Sequence, residues 1–147
     1  MFRCLILIII FCPCLLACPY KEIFKYNNKL IVENGIEVLP LTFFYKEWKK
    51  KGNCNAILRI HNGTDKIQRF NFQHSYLTNL PDTSIILNVY FKMGEKIDPR
   101  TELIMPPKTD TVIGLAFVEK SDFFKEDIYL LLSSSAIADV RLLYKKR

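Results

Sequence analysis

The sequence predicts an all-β protein, one antiparallel β-sandwich of about eight short strands. Three observations carry this. Short runs alternate apolar and polar residues with a period of two, the pattern of half-buried strands. Turn-forming residues recur between the runs at regular intervals. The chain holds eleven Phe and seven Tyr, which favour strands, and no long stretch keeps a helical period.

Taken in order, residues 19–29 are polar and read as a tether. Runs at 30–33 and 36–39 flank Asn34-Gly35, a pair that tolerates positive φ at both central turn positions and so signals a hairpin. Pro40 is expected to end that arm. A third apolar-aromatic run, 41–48, closes on Lys49-Lys50-Lys51-Gly52-Asn53. In the next run Cys54, Ala56, Leu58 and Ile60 share one face, and Asn55, Ile57, Arg59 and His61 the other. Asn62-Gly63 is read as a hairpin turn. The run 66–74 places Phe70 and Phe72 together, and a loop extends to Leu80-Pro81-Asp82. In 84–93, Ile85, Leu87, Val89, Phe91 and Met93 are expected to face the core, with Ser84, Asn88 and Lys92 facing out. A polar loop is expected at 94–100, then a short edge strand at 101–105 stopped by Pro106-Pro107. The run 111–118 is apolar on both faces, as a central strand is. A turn of helix is expected within 119–126. Strands at 127–133 and 139–145 complete the set, with Val140, Leu142 and Tyr144 inward and Arg141 and Lys145 outward. Within this length, a two-sheet immunoglobulin-like sandwich is the expected solution.

The N-terminus has a different character. Met1-Phe2-Arg3 precedes an apolar stretch, and 15 residues run from Cys4 to Cys18 with Pro13 interrupting them. A spanning helix needs about 20 apolar residues, so this reads as a secretory signal. Leu15-Leu16-Ala17-Cys18 resembles the lipobox of bacterial lipoproteins: a branched apolar residue, a tolerant position, a small residue, then Cys. The resemblance implies that residues 1–17 are removed and that Cys18 carries diacylglycerol and an amide-linked acyl chain such as palmitate. Cys12 follows Phe11 and Cys14 follows Pro13, neither of which is small and flexible, so both fit the pattern badly. Each buried CH₂ contributes about 0.8 kcal/mol, so a multiply acylated Cys18 would hold to a membrane without a protein segment. Pro19, rather than the Asp resembling an inner-membrane retention mark, favours an outer-membrane destination; Lys21-Glu22 faintly resembles a surface-export mark. The expected organisation is a signal peptide 1–17, a lipidated Cys and tether 18–29, and one domain 30–147. A plain secreted sandwich without lipidation is the alternative.

A second resemblance concerns the domain. Leu58-Arg-Ile-His-Asn-Gly-Thr-Asp-Lys66 looks like the strand-Asn-turn segment of immunoglobulin-like bacterial lipoproteins. Met105-Pro-Pro-Lys-Thr-Asp-Thr-Val-Ile-Gly-Leu-Ala-Phe117 looks like their later turn and strand, with Tyr129-Leu-Leu-Leu132 as the next strand. The group resembled is the telokin-like, immunoglobulin-like set of exported lipoproteins. It implies a fold and no catalytic residue.

The residues offer little chemistry. Cys4, Cys12 and Cys14 leave with the signal and Cys18 is lipidated, so Cys54 alone remains and no internal disulfide is expected. Without lipidation, a Cys18–Cys54 bridge becomes possible. Cys54 shares the apolar face of its strand and reads as a buried small hydrophobe. His61 lies seven positions from Cys54, on the opposite face, and His74 has no Cys or His nearby, so no metal site is expected. No carboxylate pair, nucleophile elbow or Gly-rich phosphate loop is present, so no enzyme, cofactor or small-molecule substrate is expected. Asn62-Gly63-Thr64 matches the N-glycosylation acceptor but is read as a turn. The net charge is +6, concentrated at Lys49–Lys51 and at Lys145-Lys146-Arg147; it is read as solvated, and no nucleic-acid motif accompanies it. Phe43 and Tyr45 share one parity and Phe44 and Trp48 the other, so one pair is expected in the core and the other outside. Phe44, Trp48, Lys49, Lys50 and Lys51 form the expected partner patch. The expected role is a membrane-anchored, non-catalytic binding module meeting a protein or glycan of the envelope. The alternative is an inhibitor of a hydrolase acting through the segments 94–100 and 119–126.

Overall fold

The computed structural model describes residues 24–26, 29–91, 94–134, 136–137 and 140–147. The expected signal, the lipobox Leu15, Leu16 and Ala17, and Cys18 lie outside the described residues, as do Lys92, Met93 and Asp139.

Among the described residues the chain forms thirteen strand segments, more than the eight or so expected because several are only three residues long. They are β1 (Phe24–Tyr26), β2 (Ile31–Glu33), β3 (Ile36–Trp48), β4 (Lys51–Asn62), β5 (Gln68–Phe70), β6 (Tyr76–Thr78), β7 (Thr83–Ile85), β8 (Asn88–Phe91), β9 (Glu95–Ile97), β10 (Leu103–Met105), β11 (Asp110–Lys120), β12 (Ile128–Leu132) and β13 (Val140–Lys146). All pairings are antiparallel. One sheet has the order β2-β3-β4-β11-β8-β9, the other β1-β13-β12-β6-β7, and β10 pairs with β5 in a side ribbon.

The sheets bury the faces that period-two alternation assigns to the core. Cys54, Ala56, Leu58 and Ile60 of β4 are buried, as are Ile113, Leu115 and Phe117 of the central β11. Across from them lie Ile128, Leu130, Leu132, Val140, Leu142 and Tyr144. Aromatic rings link the layers: Phe43 sits 4.5 Å from Tyr144 and 5.3 Å from Phe24, ring centre to ring centre. Asn34 (φ 51°) and Gly35 (φ 77°) form the expected hairpin turn between β2 and β3.

Several local expectations are corrected. Part of the tether belongs to the domain, because β1 pairs with β13 and Phe24 is buried. Pro40 does not end its arm. The strand continues to Trp48 through a bulge, with Pro40 opposite Leu58 and Thr42 opposite Ile57. Proline has no N–H for the ladder, and the extra residue, Leu41, absorbs the irregularity. The bulge also moves the inward parity from Ile36 and Val38 to Phe43 and Tyr45. The run 84–93 is not one strand: Ser84 and Ile86 are buried, while Ile85 is 77% and Leu87 55% exposed. β7 lies in one sheet and β8 in the other, so the inward direction changes where the chain crosses at Ile86-Leu87. The loop expected at 94–100 contains β9, paired with β8. The segment up to Asp82 is a β6–β7 hairpin closed by a hydrogen bond from Thr78 Oγ1 to the Asp82 carbonyl at 2.7 Å. The turn of helix in 119–126 is a 3-10 turn, Ser121–Lys125.

Candidate functional site

The tip of the β3–β4 hairpin holds Trp48, Lys49, Lys50 and Lys51 of the expected patch, whereas Phe44 lies four residues back along β3, opposite Asn55. Phe43 and Tyr45 are buried, whereas Phe44 is 37% and Trp48 59% exposed. Lys49 Nζ lies 5.9 Å from the centre of the Trp48 ring, within cation–π range. Lys49 (φ 49°) and Lys50 (φ 63°) occupy both central positions of the two-residue turn, and Trp48 pairs with Lys51 across it. A left-handed backbone costs a non-glycine residue about 1 kcal/mol. The sequence uses Asn-Gly for the same task at β2–β3 and lysines here, so charge is kept at the tip at the expense of turn geometry.

Beside the hairpin a cleft of about 790 Å³ opens between the turn and Ser121–Lys125. Its floor is Tyr45 and Phe124, whose rings are 4.9 Å apart. Gly52 permits this arrangement, because a Cβ there would lie 2.5 Å from Phe124 ring carbons and 2.7 Å from Tyr45. Lys49, Lys50, Lys51, Lys120, Lys125 and Lys146 line the rim against only two carboxylates, Glu47 and Asp122. Lys125 is 2.6 Å from Asp122, which lowers the Asp122 pKa and raises that of Lys125. Lys146 Nζ donates to the Phe124 carbonyl at 2.8 Å and lies 5.0 Å from the Phe24 ring; partial burial lowers its pKa, against the opposing pull of Glu47. Burial, aided by Glu47, pushes the Tyr45 hydroxyl up to about 12. The contributions of Lys120, Lys125 and Lys146 to this rim come from distant segments and were not legible from the patch itself.

The reactive residue types are dispersed. Cys54 is buried under the hairpin and burial raises its pKa well above the usual thiol value, which disfavours the thiolate. His61 points to the opposite face, with Nδ1 3.3 Å from Asp110, which also lies 3.7 Å from Arg59. His74 is exposed beside Gln73. Among the described residues no three His, Cys, Asp or Glu side chains gather as metal ligands would. No helix among them is long and apolar enough to cross a membrane.

Asn62, the sequence match to a glycosylation acceptor, is a structural hub. It is 0% exposed. Its Nδ2 donates to the carbonyls of Lys66 (2.8 Å), Met105 (3.1 Å) and Pro106 (3.0 Å). Its Oδ1 accepts from the Thr64 N–H (3.1 Å) and hydroxyl (2.7 Å). The turn here is not a hairpin: the chain leaves the β4 sheet and enters the β5–β10 ribbon, and Asn62 fastens the two.

Comparison with known proteins returns no match: no protein-family model, no curated protein and no solved structure is similar to this chain.

Proposed function

We propose that this chain is an exported, lipid-anchored bacterial lipoprotein whose β-sandwich is a non-catalytic binding module of the cell envelope, with the β3–β4 end as its contact surface. The anchor rests on Leu15-Leu16-Ala17-Cys18 and the apolar stretch before it. The observation that carries the binding role is the solvent-facing Trp48 beside Lys49–Lys51, with Phe44 also exposed further along the same strand. Trp48 beside Lys49, on the same strand as the exposed Phe44, supports recognition, since exposed aromatic surface next to polar groups marks contact sites. Radiolabelled palmitate with membrane fractionation tests the anchor. The wild type takes up label and pellets with membranes, and Cys18→Ala does neither. Label retained by Cys18→Ala overturns the assignment.

A further inference from the structure

The strand register gives the lysine-rich end a direction. β1 and β13 are antiparallel, with Phe24 opposite Lys146, so the first residue of β1 sits beside Lys146. Lys146 lines the same cleft as Lys49, Lys50 and Lys51. Lys51 pairs with both Trp48 and Lys120, which fixes the β3–β4 turn and the end of β11 at this same end. Six residue steps separate Cys18 from Phe24, so even a fully extended chain spans only about 21 Å. Resting on the lipid anchor at Cys18, and taking the membrane itself as what the proposed contact surface meets, we infer that the hairpin end of the sandwich lies on the membrane that holds the acyl chains, with its lysine rim on anionic phospholipid headgroups and Trp48 at the headgroup level.

Charge complementarity supports this. The rim carries six lysines against two carboxylates. One of these lysines, Lys125, is paired with Asp122 (2.6 Å), which leaves five lysines and Glu47; elsewhere Arg59 pairs with Asp110 (3.7 Å), Lys108 with Asp65 (3.2 Å) and Arg69 with Glu102 (3.0 Å). His61 and Asp110 stand opposite one another ten residues along β4 from Lys51, about 33 Å from the tip at the rise of a strand. Both central turn positions are lysines held at positive φ, so two cationic residues occupy the outermost point of the hairpin. Trp48 suits a membrane interface, where its amphipathic ring sits among headgroups. In this orientation the far end, with the Asn34-Gly35 and Asn62-Gly63 turns, is the part presented away from the bilayer.

Trp48 is the only tryptophan in the chain, so its fluorescence reports this surface alone. The lipidated protein is reconstituted into vesicles of phosphatidylcholine, with or without about 30% phosphatidylglycerol as the anionic component. With the anionic lipid, Trp48 emission shifts to shorter wavelength and brominated acyl chains quench it. About 0.5 M NaCl, which shortens the screening length to a few ångströms, reverses both effects. The Cys18→Ser chain of residues 18–147, which lacks the apolar stretch before Cys18, tests the surface apart from the anchor. Each lysine near an anionic surface strengthens binding about fivefold. Lys49→Gln/Lys50→Gln/Lys51→Gln therefore weakens partitioning of the Cys18→Ser chain onto anionic vesicles by about 100-fold. Equal Trp48 spectra in buffer and on both vesicles overturn the inference. So does binding of a soluble polyanion such as heparin without binding to anionic vesicles. If palmitate labelling fails while the Cys18→Ser chain still binds anionic vesicles, the anchor reading falls and with it the fixed orientation. If labelling succeeds and the vesicle response is absent, only the membrane-facing inference falls.

Discussion

Replacing Asn62 by Ala removes five hydrogen bonds at one buried point. The Lys66, Met105 and Pro106 carbonyls and the Thr64 N–H and hydroxyl all lose this partner. The three donor contacts share two amide hydrogens, so they count as less than three full bonds. The Met105 contact is buried, and the others are partly buried and accept replacement by water at lower cost. A buried unsatisfied group costs about 1–3 kcal/mol and a partly buried bond about 1 kcal/mol. Together these give a loss of about 3–4 kcal/mol for Asn62→Ala. For a domain of this size 1 kcal/mol corresponds to about 4 °C, so the midpoint should fall by about 12–16 °C in thermal unfolding followed by circular dichroism. Urea titration should show a lower midpoint with an unchanged slope, since the surface exposed on unfolding is nearly the same. Asn62→Asp should be at least as damaging, because its carboxylate faces three carbonyl oxygens. A loss below about 1 kcal/mol for Asn62→Ala would refute the view that this side chain fastens the β4 end to the β5–β10 ribbon.

Other consequences follow from the core and the cleft floor. Gly52→Ala should destabilise by about 1–3 kcal/mol, measured by urea unfolding, because the new methyl group meets Phe124 and Tyr45; no change would mean Phe124 does not lie over β4. In a native Cys18→Ser chain of residues 18–147, Cys54 is the single thiol; it should stay unreactive toward a thiol-specific reagent and react once on denaturation, since it is buried with a raised pKa; rapid native labelling contradicts its placement. Tyr45 and Tyr144 both have raised pKa values through burial. A group whose folded pKa exceeds its unfolded value contributes stability below the unfolded value and loses it as pH rises. Stability should therefore fall from about pH 10 upward, with Tyr45 titrating near 12 by phenolate absorbance, and Tyr144→Phe should flatten that decline; a pH-independent stability above 10 contradicts it.

What the sequence made legible was what short-range rules govern. The β4 alternation and the Asn34-Gly35 turn were readable because each depends on neighbours two to four residues away. That Phe43 and Tyr45 share one environment and Phe44 and Trp48 the other was readable from parity, which does not say which pair is buried. The rest depends on distant parts of the chain. The Pro40 bulge reverses parity inside one strand, and the crossing at Ile86-Leu87 changes which direction is inward without any break in the alternation. β1 is three residues long and exists because β13, over a hundred residues away in sequence, supplies its partner. Asn62 looked like a simple turn residue because its Met105 and Pro106 partners lie 43 and 44 positions on. The lysine rim likewise joins residues from 49–51, 120–125 and 146, so charge that reads as solvated clusters along the sequence becomes one surface in the fold.

The central claim is that Cys18 ends the mature chain and carries it on a membrane. Mass spectrometry of the N-terminal peptide from the membrane fraction tests it most directly. The account predicts a chain beginning at Cys18, with diacylglycerol on Sγ and an acyl group on the α-amine. A chain that retains residues 1–17, or begins at Cys18 with a free thiol and amine, would contradict it.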